Sequence, residues 1–228
     1  MAIALRCFEL VDSHVELGAL VRDGDTVSAG TQLATIRGDA RSILSAERLA
    51  LNLLGQLSGV ATATRMLVDR VRGTNAKIID TRKTVPLLRE LQKMAVVAGG
   101  GANHRMGLFD QVLIKDNHIQ AVGSPAEAVR RARTRVGEEI TVEVEIERLE
   151  ELEEVIKAGA DIVMLDNMLP SAMRAAVEIA DGRVLLEASG GITLKTVREV
   201  AESGVDLISI GGITHSSPSL DVALDFST

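Results

Sequence analysis

The sequence predicts an α/β protein: a parallel β/α barrel of about six units, preceded by a smaller domain of short antiparallel strands. Three observations carry this prediction. From about residue 77 onward, short β-branched apolar runs alternate with amphipathic helical patterns. The later units recur at roughly 20 to 25 residues, the shortest length that holds a strand, a helix and two tight loops. Each apolar run then turns polar at its carboxyl end, where parallel α/β folds gather their ligands. An open sheet needs polar strand ends mainly at its switch point, so six polar ends favour a barrel, in which they converge.

The elements follow in order. HVELGALVRDGDTVSAGTQLATIRGDARSIL alternates apolar residues with the turn signals DGD, AGT and RGDA, the pattern of short strands joined by turns. It resembles half of a lipoyl-carrier sandwich, but no lysine stands at a hairpin tip where a carrier would be modified. A helix is expected over SAERLALNLLGQLSGVATATRMLVDRV, capped by Ser45 and interrupted around Ser58 and Gly59. The six expected strands are AKIIDTRKT, DQVLIKDNH, TVEVEIE, DIVMLDNM, RVLLEASGG and DLISIGGIT. Their polar ends are Asp80 and Arg82, Lys115 and Asp116, Glu145, Asp166 and Asn167, Glu187 and Ser189, and Gly211 and Gly212. Between them PLLRELQKMAVVAGGG, SPAEAVRRARTRVG, RLEELEEVIKAG, LPSAMRAAVEIADG and TLKTVREVAESG have helical spacing, most with a Gly just past the end.

Composition narrows the function. There are 25 basic against 32 acidic residues, a net charge of -7, with three Phe and neither Tyr nor Trp. A nucleic-acid binder needs the basic surplus, and a single-strand binder the stacking platforms as well, so no nucleic-acid partner is expected. Cys7 is the single cysteine, and MAIALRCFELVD has neither a cationic signal-peptide head nor a membrane-length apolar run. A soluble protein of a reducing compartment, with no membrane partner, is expected.

Residues 81 to 118 pack Arg82, Lys83, Arg89, Lys93, His104, Arg105, Lys115 and His118 into 38 positions of this acidic chain. A positive pocket in a negative body implies an anionic substrate with several carboxylates or phosphates. Arg82, Lys83 and Lys115 stand at strand ends and are expected to serve it. Arg89 and Lys93, on a helix, are expected to be solvated charges. Glu145 and Asp166, with Glu187 as a third candidate, offer hard oxygen ligands beside that pocket, as Mg²⁺ requires when it shares its shell with phosphates. The bland alternative is an ion network with Lys115 and Arg82. Glu143 and Glu147 have the parity of Glu145, so alternation leaves open which carboxylates point inward. Glycine-rich runs at Ser189–Ile192 and Gly211–His215 follow the last two strands, where barrels often bind phosphate. The run at residues 99 to 101 is less specific.

The block TRKTVPLLRELQKMAVVAGGGANHRMGLFDQVLIKDNH, followed in order by VEVE, LDNM, LEASGGI and ISIGGITH and preceded by ERLALN and LSGVATATR, resembles the quinolinate phosphoribosyltransferase family over essentially the whole chain. That resemblance implies an incomplete six-unit parallel β/α barrel at 73–217, linking helices at 45–72, and a smaller, truncated α/β sandwich at 1–44 joined by the tail from about 218. It implies a pentosyltransferase of NAD biosynthesis. Phosphoribosyl passes from phosphoribosyl pyrophosphate to quinolinate with Mg²⁺, giving nicotinate mononucleotide, pyrophosphate and CO₂. A cytoplasmic homodimer, or a hexamer built as a trimer of dimers, is implied.

By the same resemblance Arg82, His104 and Arg105 hold the two carboxylates of quinolinate, with Thr81, Lys83 and Lys115 completing the pocket. Arg48 reaches the partner's site. Glu145 and Asp166 hold ribose and metal, and together with Lys115 are the implied catalytic residues. Ser189, Gly190, Gly211 and His215 form the phosphate loops. Family members carry several dozen residues ahead of MAIALRCFELVD, so a poorly covered β-edge or exposed apolar face is expected near the N-terminus. Three rival readings are a transferase paralogue of the molybdenum-transport-associated type, against which the intact KDNH speaks, a Schiff-base aldolase using Lys115, and a chain that binds without turnover.

Overall fold

The computed structural model describes residues 1–226. Six strands form one sheet: β3 (Lys77–Ile79), β4 (Val112–Ile114), β5 (Val142–Ile146), β6 (Ile162–Asp166), β7 (Leu185–Ser189) and β8 (Leu207–Ser209). Their order is β3-β8-β7-β6-β5-β4 and every ladder is parallel. β3 and β4 lie at opposite ends of this order and do not pair, so the barrel is open between them. The chain linking them contributes one parallel bridge at the gap, from Ile79 to Ala102. All six expected strands are present.

On β5, Val142, Val144 and Ile146 are buried in the main apolar core, whereas Glu143 and Glu145 share the opposite, inward parity. The helices supply the other wall. α5 (Pro125–Val136) starts at Ser124, whose hydroxyl accepts from Glu127 N at 3.2 Å, with Pro125 in the first turn. α3 (Arg89–Ala98), α6 (Leu152–Lys157), α7 (Pro170–Ala180) and α8 (Val197–Ala201) fall within the expected runs. α4 (Asp116–Val122), directly after β4, and α9 (Gly212–His215), after β8, were not expected. Helices of seven and four residues carry too few apolar positions to show a period.

The N-terminal part has its own core, formed by Ala4, Cys7 and Phe8 of α1 (Ala2–Val11), Val15, and Ile43, Ala46 and Ala50 of α2 (Ala40–Arg70). β1 (Glu16–Ala19) and β2 (Ala34–Arg37) pair antiparallel, as expected, and only with each other among the described residues. Leu224 of the C-terminal tail packs against this core. Leu10, Leu20, Leu44 and Leu49 are exposed. No helix of the described residues is long and apolar enough to cross a membrane.

Two expectations for the linking helix fail. Asp39, not Ser45, caps α2, accepting from Arg41 N at 3.0 Å and Ser42 N at 3.2 Å. Ser45 lies inside the helix and donates to Arg41 O. The helix also runs unbroken through Ser58 and Gly59. The glycines serve a chain crossing: a Cβ on Gly59 would lie 2.0 Å from Pro218 O and one on Gly55 2.7 Å from Leu220 O, while Leu220 N donates to Gly55 O at 3.0 Å.

Gly59→Ala is therefore expected to cost about 2 kcal/mol net, the clash outweighing the roughly 1 kcal/mol that Ala gains in a free helix. Thermal unfolding checks this. A higher Tm would show that the tail yields without cost.

Candidate active site

The polar strand ends of the barrel meet the loops at residues 80–85, 104–107, 189–191 and 211–215. The residues fall into a buried charged layer and, outside it, an open cationic cleft.

The buried layer contains Asp80, Glu143, Glu187, Gln92 and Lys93. Lys93 was expected to be solvated; instead its ammonium pairs with Asp80 and donates to His104 O at 2.8 Å. Asp80 also accepts from His104 N at 3.0 Å and, on its other oxygen, from the Asn103 amide at 2.6 Å. Burial raises the Asp80 carboxyl above its usual range, and the Lys93 bond and charge only partly oppose this. Arg89, likewise expected in solvent, donates to Thr84 Oγ1 at 3.1 Å, Met106 O at 3.1 Å and Arg82 O at 3.3 Å. The helix is inverted relative to a simple amphipathic reading: Gln92 and Lys93 are buried, while Met94 and Val97 are exposed.

His104 Nε2 lies 3.2 Å from Glu143 Oε2 and 3.8 Å from Glu187 Oε2. Burial alone would depress this imidazole; the Glu143 bond and the charges of Glu143 and Glu187 outweigh it and raise the pKa. Against full protonation, His104 Nδ1 accepts the Arg105 backbone N–H at 2.6 Å. An occupied acceptor nitrogen puts the ring proton on Nε2, facing Glu143. Glu143 Oε2 accepts a second bond from Gln111 Nε2 at 2.6 Å. Neither Glu187 oxygen has a hydrogen-bond partner. Burial first, then the Glu143 charge, push Glu187 up to about 8, so it holds a proton at neutral pH.

The folded state keeps this proton until about pH 8, whereas an unfolded Glu releases it near its ordinary value, so stability falls as pH rises across that window. Glu187→Gln, which mimics the neutral acid, is expected to stabilise by roughly 2–4 kcal/mol at pH 8 and hardly at all at pH 4.5. Melting curves at the two values check this; a gain independent of pH contradicts a retained proton.

The open cleft, of about 550 Å³, is lined by Arg82, Arg105, Gln111, Lys115 and His118, with Leu108 and Phe109 among its exposed apolar residues. Arg82 Nε is buried and unpartnered. Arg105 donates to Gln111 O at 3.3 Å, and its pKa is lowered by burial and then by the Arg82 charge. Two like guanidiniums in one cleft favour an anion between them. Lys115 is half-exposed, its ammonium 3.0 Å from Glu145 Oε2. That contact occupies the amine that a Schiff base would need free.

The glycine loops are built for close approach. A Cβ on Gly211 would stand 3.1 Å from the Lys83 side chain and 3.4 Å from Thr81 Oγ1 and His215 Nε2, so Thr81, Lys83 and His215 surround it. Thr214 Oγ1 donates to Lys83 O at 2.7 Å. Gly190, at φ +100°, leaves room for Asn167, whose side-chain oxygen would lie 2.2 Å from a Cβ there; Asn167 N in turn donates to Ser189 O at 2.9 Å. The Asn167 amide donates to Asp166 Oδ2 at 2.6 Å. Asp166, Ser189 and Gly190 thus form one knot. Arg48 stands apart on α2, 77% exposed, with neighbouring Glu47 at 3.8 Å as its ion-pair partner.

Sequence reasoning missed Gln92 and Gln111 as parts of this site, read Arg89 and Lys93 as solvated, named Asp80 only as a polar strand end, and left open whether Glu143 points inward. The one usable signal was the unbalanced helix PLLRELQKMAVVAG, whose apolar positions do not make a single face. A shallower hollow of about 720 Å³ on α5 is lined by Glu127, Arg130, Arg131, Thr134 and Arg135. Arg130 and Arg131 there already pair with Glu127, and it carries no argument for a site.

Known proteins resemble this chain over most of its length. Residues 1–58 match the family model described as the N-terminal domain of quinolinate phosphoribosyl transferase, and residues 60–225 match its C-terminal domain. The chain is 46% identical to a probable nicotinate-nucleotide pyrophosphorylase (carboxylating) of Bacillus subtilis, over 98% of this chain and 78% of that protein. It is 47% identical to the nicotinate-nucleotide pyrophosphorylase (carboxylating) of Mycobacterium leprae, over 90% and 73%. The crystal structure of NadC from Streptococcus pyogenes superposes with a TM-score of 0.93 at 41% identity, covering 97% of this chain and 78% of that one. That of the nicotinate-nucleotide pyrophosphorylase from Francisella tularensis gives 0.92 at 44%, covering 96% and 78%.

Proposed function

The chain belongs to the quinolinate phosphoribosyl transferase family, and on that premise we propose that it transfers phosphoribosyl from phosphoribosyl pyrophosphate to quinolinate with loss of CO₂, giving nicotinate mononucleotide for NAD synthesis. The observation that carries the proposal is the cleft in which Arg82, Arg105 and Lys115 converge, with a buried, unpartnered guanidinium nitrogen on Arg82. Quinolinate is a dianion, and a site that strips its water must return equivalent charge and hydrogen bonds.

In this reading Arg82 and Arg105 grip the two carboxylates, and Lys115 supports them. Thr81, Lys83, Gly211 and His215 hold one phosphate and Ser189 and Gly190 another. His104, whose two ring nitrogens face Arg105 N and Glu143, acts by orienting Arg105 as well as by bordering the dicarboxylate. Glu145 and Asp166 face the ribose and favour positive charge at C1 as pyrophosphate departs. The pyridinium formed by attack of the quinolinate nitrogen then stabilises the carbanion left by CO₂, which takes up a proton from water or Lys115 to give the product.

Glu145 and Asp166 also suit Mg²⁺. They are oxygen donors at the carboxyl ends of adjacent parallel strands, and each has a protein hydrogen bond to one oxygen, Oε2 of Glu145 and Oδ2 of Asp166. When bound, Mg²⁺ would neutralise charge on the leaving pyrophosphate. The His104, Glu143 and Glu187 group is the one set of three potential metal donors among the described residues. It is buried and includes an imidazole, so it suits this hard cation less well.

Arg48, exposed on α2 and not among the residues lining the cleft, is read as acting in the site of a second subunit of a homodimer, whether or not dimers assemble further. The single cysteine fits a reducing, cytoplasmic setting.

The test is an assay of quinolinate with phosphoribosyl pyrophosphate, with and without Mg²⁺, following nicotinate mononucleotide. Turnover that stops on chelation of the metal is expected. Binding of both substrates by calorimetry without any product would overturn the catalytic reading in favour of binding alone.

A further inference from the structure

We propose that α3 is a positioning element for both substrates, with Arg89 setting the quinolinate clamp and Gln92 setting the phosphate loop. The proposal rests on the substrate assignment above and extends it to side chains that touch neither substrate.

Arg89, Gln92 and Lys93 stand at i, i+3 and i+4 and so share one face of α3. Each reaches a different set of loops. Arg89 spends its three nitrogens on Arg82 O, Thr84 Oγ1 and Met106 O. It therefore joins the backbone carbonyl of one cleft arginine to that of the residue following the other. Gln92, buried, donates to Thr214 O at 2.5 Å and accepts from Val85 N at 2.9 Å. Thr214 sits between Gly211 and His215, so this amide ties the glycine loop to the chain beyond Lys83. Lys93 anchors the base of the arrangement through Asp80 and His104 O.

Arg82 and Arg105 bring two like charges to one cleft. Without a brace, their loops would separate when no substrate is bound. A planar guanidinium with donors in a fixed fork can brace three acceptors at once, which an ammonium on a flexible stem does poorly. Preorganisation of this kind lowers the ordering cost of binding, so its loss falls on the ligand whose loops are released.

The two residues should therefore give opposite kinetic signatures. Arg89→Met is expected to raise KM for quinolinate about tenfold with KM for phosphoribosyl pyrophosphate within about twofold, and Arg89→Lys to recover only part of the loss. Gln92→Met is expected to raise KM for phosphoribosyl pyrophosphate about tenfold and spare quinolinate.

Amide hydrogen exchange provides a readout that needs no substrate. Arg89→Met should speed exchange in residues 82–84 and 105–107 but leave residues 160–189 unchanged. Equal rises in both KM values for both variants, or exchange that accelerates throughout, would reduce α3 to a general stabilising element and overturn the proposal. If the wild type does not turn quinolinate over, the function proposed above fails; local exchange in Arg89→Met then still decides whether the brace exists.

Discussion

Arg105→Ala is expected to lower kcat/KM for quinolinate by about 10²–10³-fold, the size associated with removing one preorganised charged donor from a water-excluded site. The effect should fall on quinolinate far more than on phosphoribosyl pyrophosphate, because Arg105 lines the cleft with Arg82 and Lys115 rather than the glycine loops. Truncation also leaves Arg82 without its partner in gripping the second carboxylate. Equal losses for the two substrates would remove Arg105 from the dicarboxylate clamp.

The same variant tests the shared site. Mixed with Arg48→Ala subunits, a random population of dimers should recover about a quarter of wild-type activity, since half the dimers are mixed and each such dimer regains one intact site. No recovery, with dimers demonstrated by light scattering, would place Arg48 outside the partner's site.

Lys93→Met is expected to destabilise the protein by about 3–5 kcal/mol, because it leaves the fully buried Asp80 without its counter-charge and frees His104 O. Asp80 can respond by holding a proton, in the direction that its burial already imposes, so the loss should be largest at high pH. Adding Asp80→Asn to Lys93→Met should restore much of the stability, since a buried polar group costs less than an uncompensated charge. Denaturant unfolding of the two single variants and the double reads this cycle. A double variant as unstable as the sum of the singles would show that the ion pair is not the coupled unit.

Much of the architecture was legible because it is local. Runs such as TVEVEIE and DIVMLDNM announce themselves by β-branched residues and a polar end, and all six became strands. Asp166 and Glu145 stand at carboxyl ends for the same reason. The cluster around KDNH and the glycine loops pointed to a candidate site by charge and by residue type alone. Gly59, Arg89 and Lys93 were misread, each through a partner elsewhere in the chain, and Ser45 through a local competitor, Asp39, which caps the helix in its place. Gly59 looked like a helix breaker, and it is a helical glycine because Pro218 crosses there. Lys93 looked like a surface charge on a helix, and it is buried because Asp80, 13 residues earlier, is buried opposite it.

The sequence by itself determined the family through its motifs, and the barrel with its smaller N-terminal part and the residues at the strand ends through periodicity and composition, which report local burial and charge. The tertiary structure decided which charges face inward and what they serve. Glu143 and Glu187 lie in the buried layer beneath the cleft, Glu145 lies nearer its opening, and the polar stripe of α3 turns into the protein. That choice depends on partners far apart in the chain, and no local pattern encodes a charge whose counter-ion arrives from another strand.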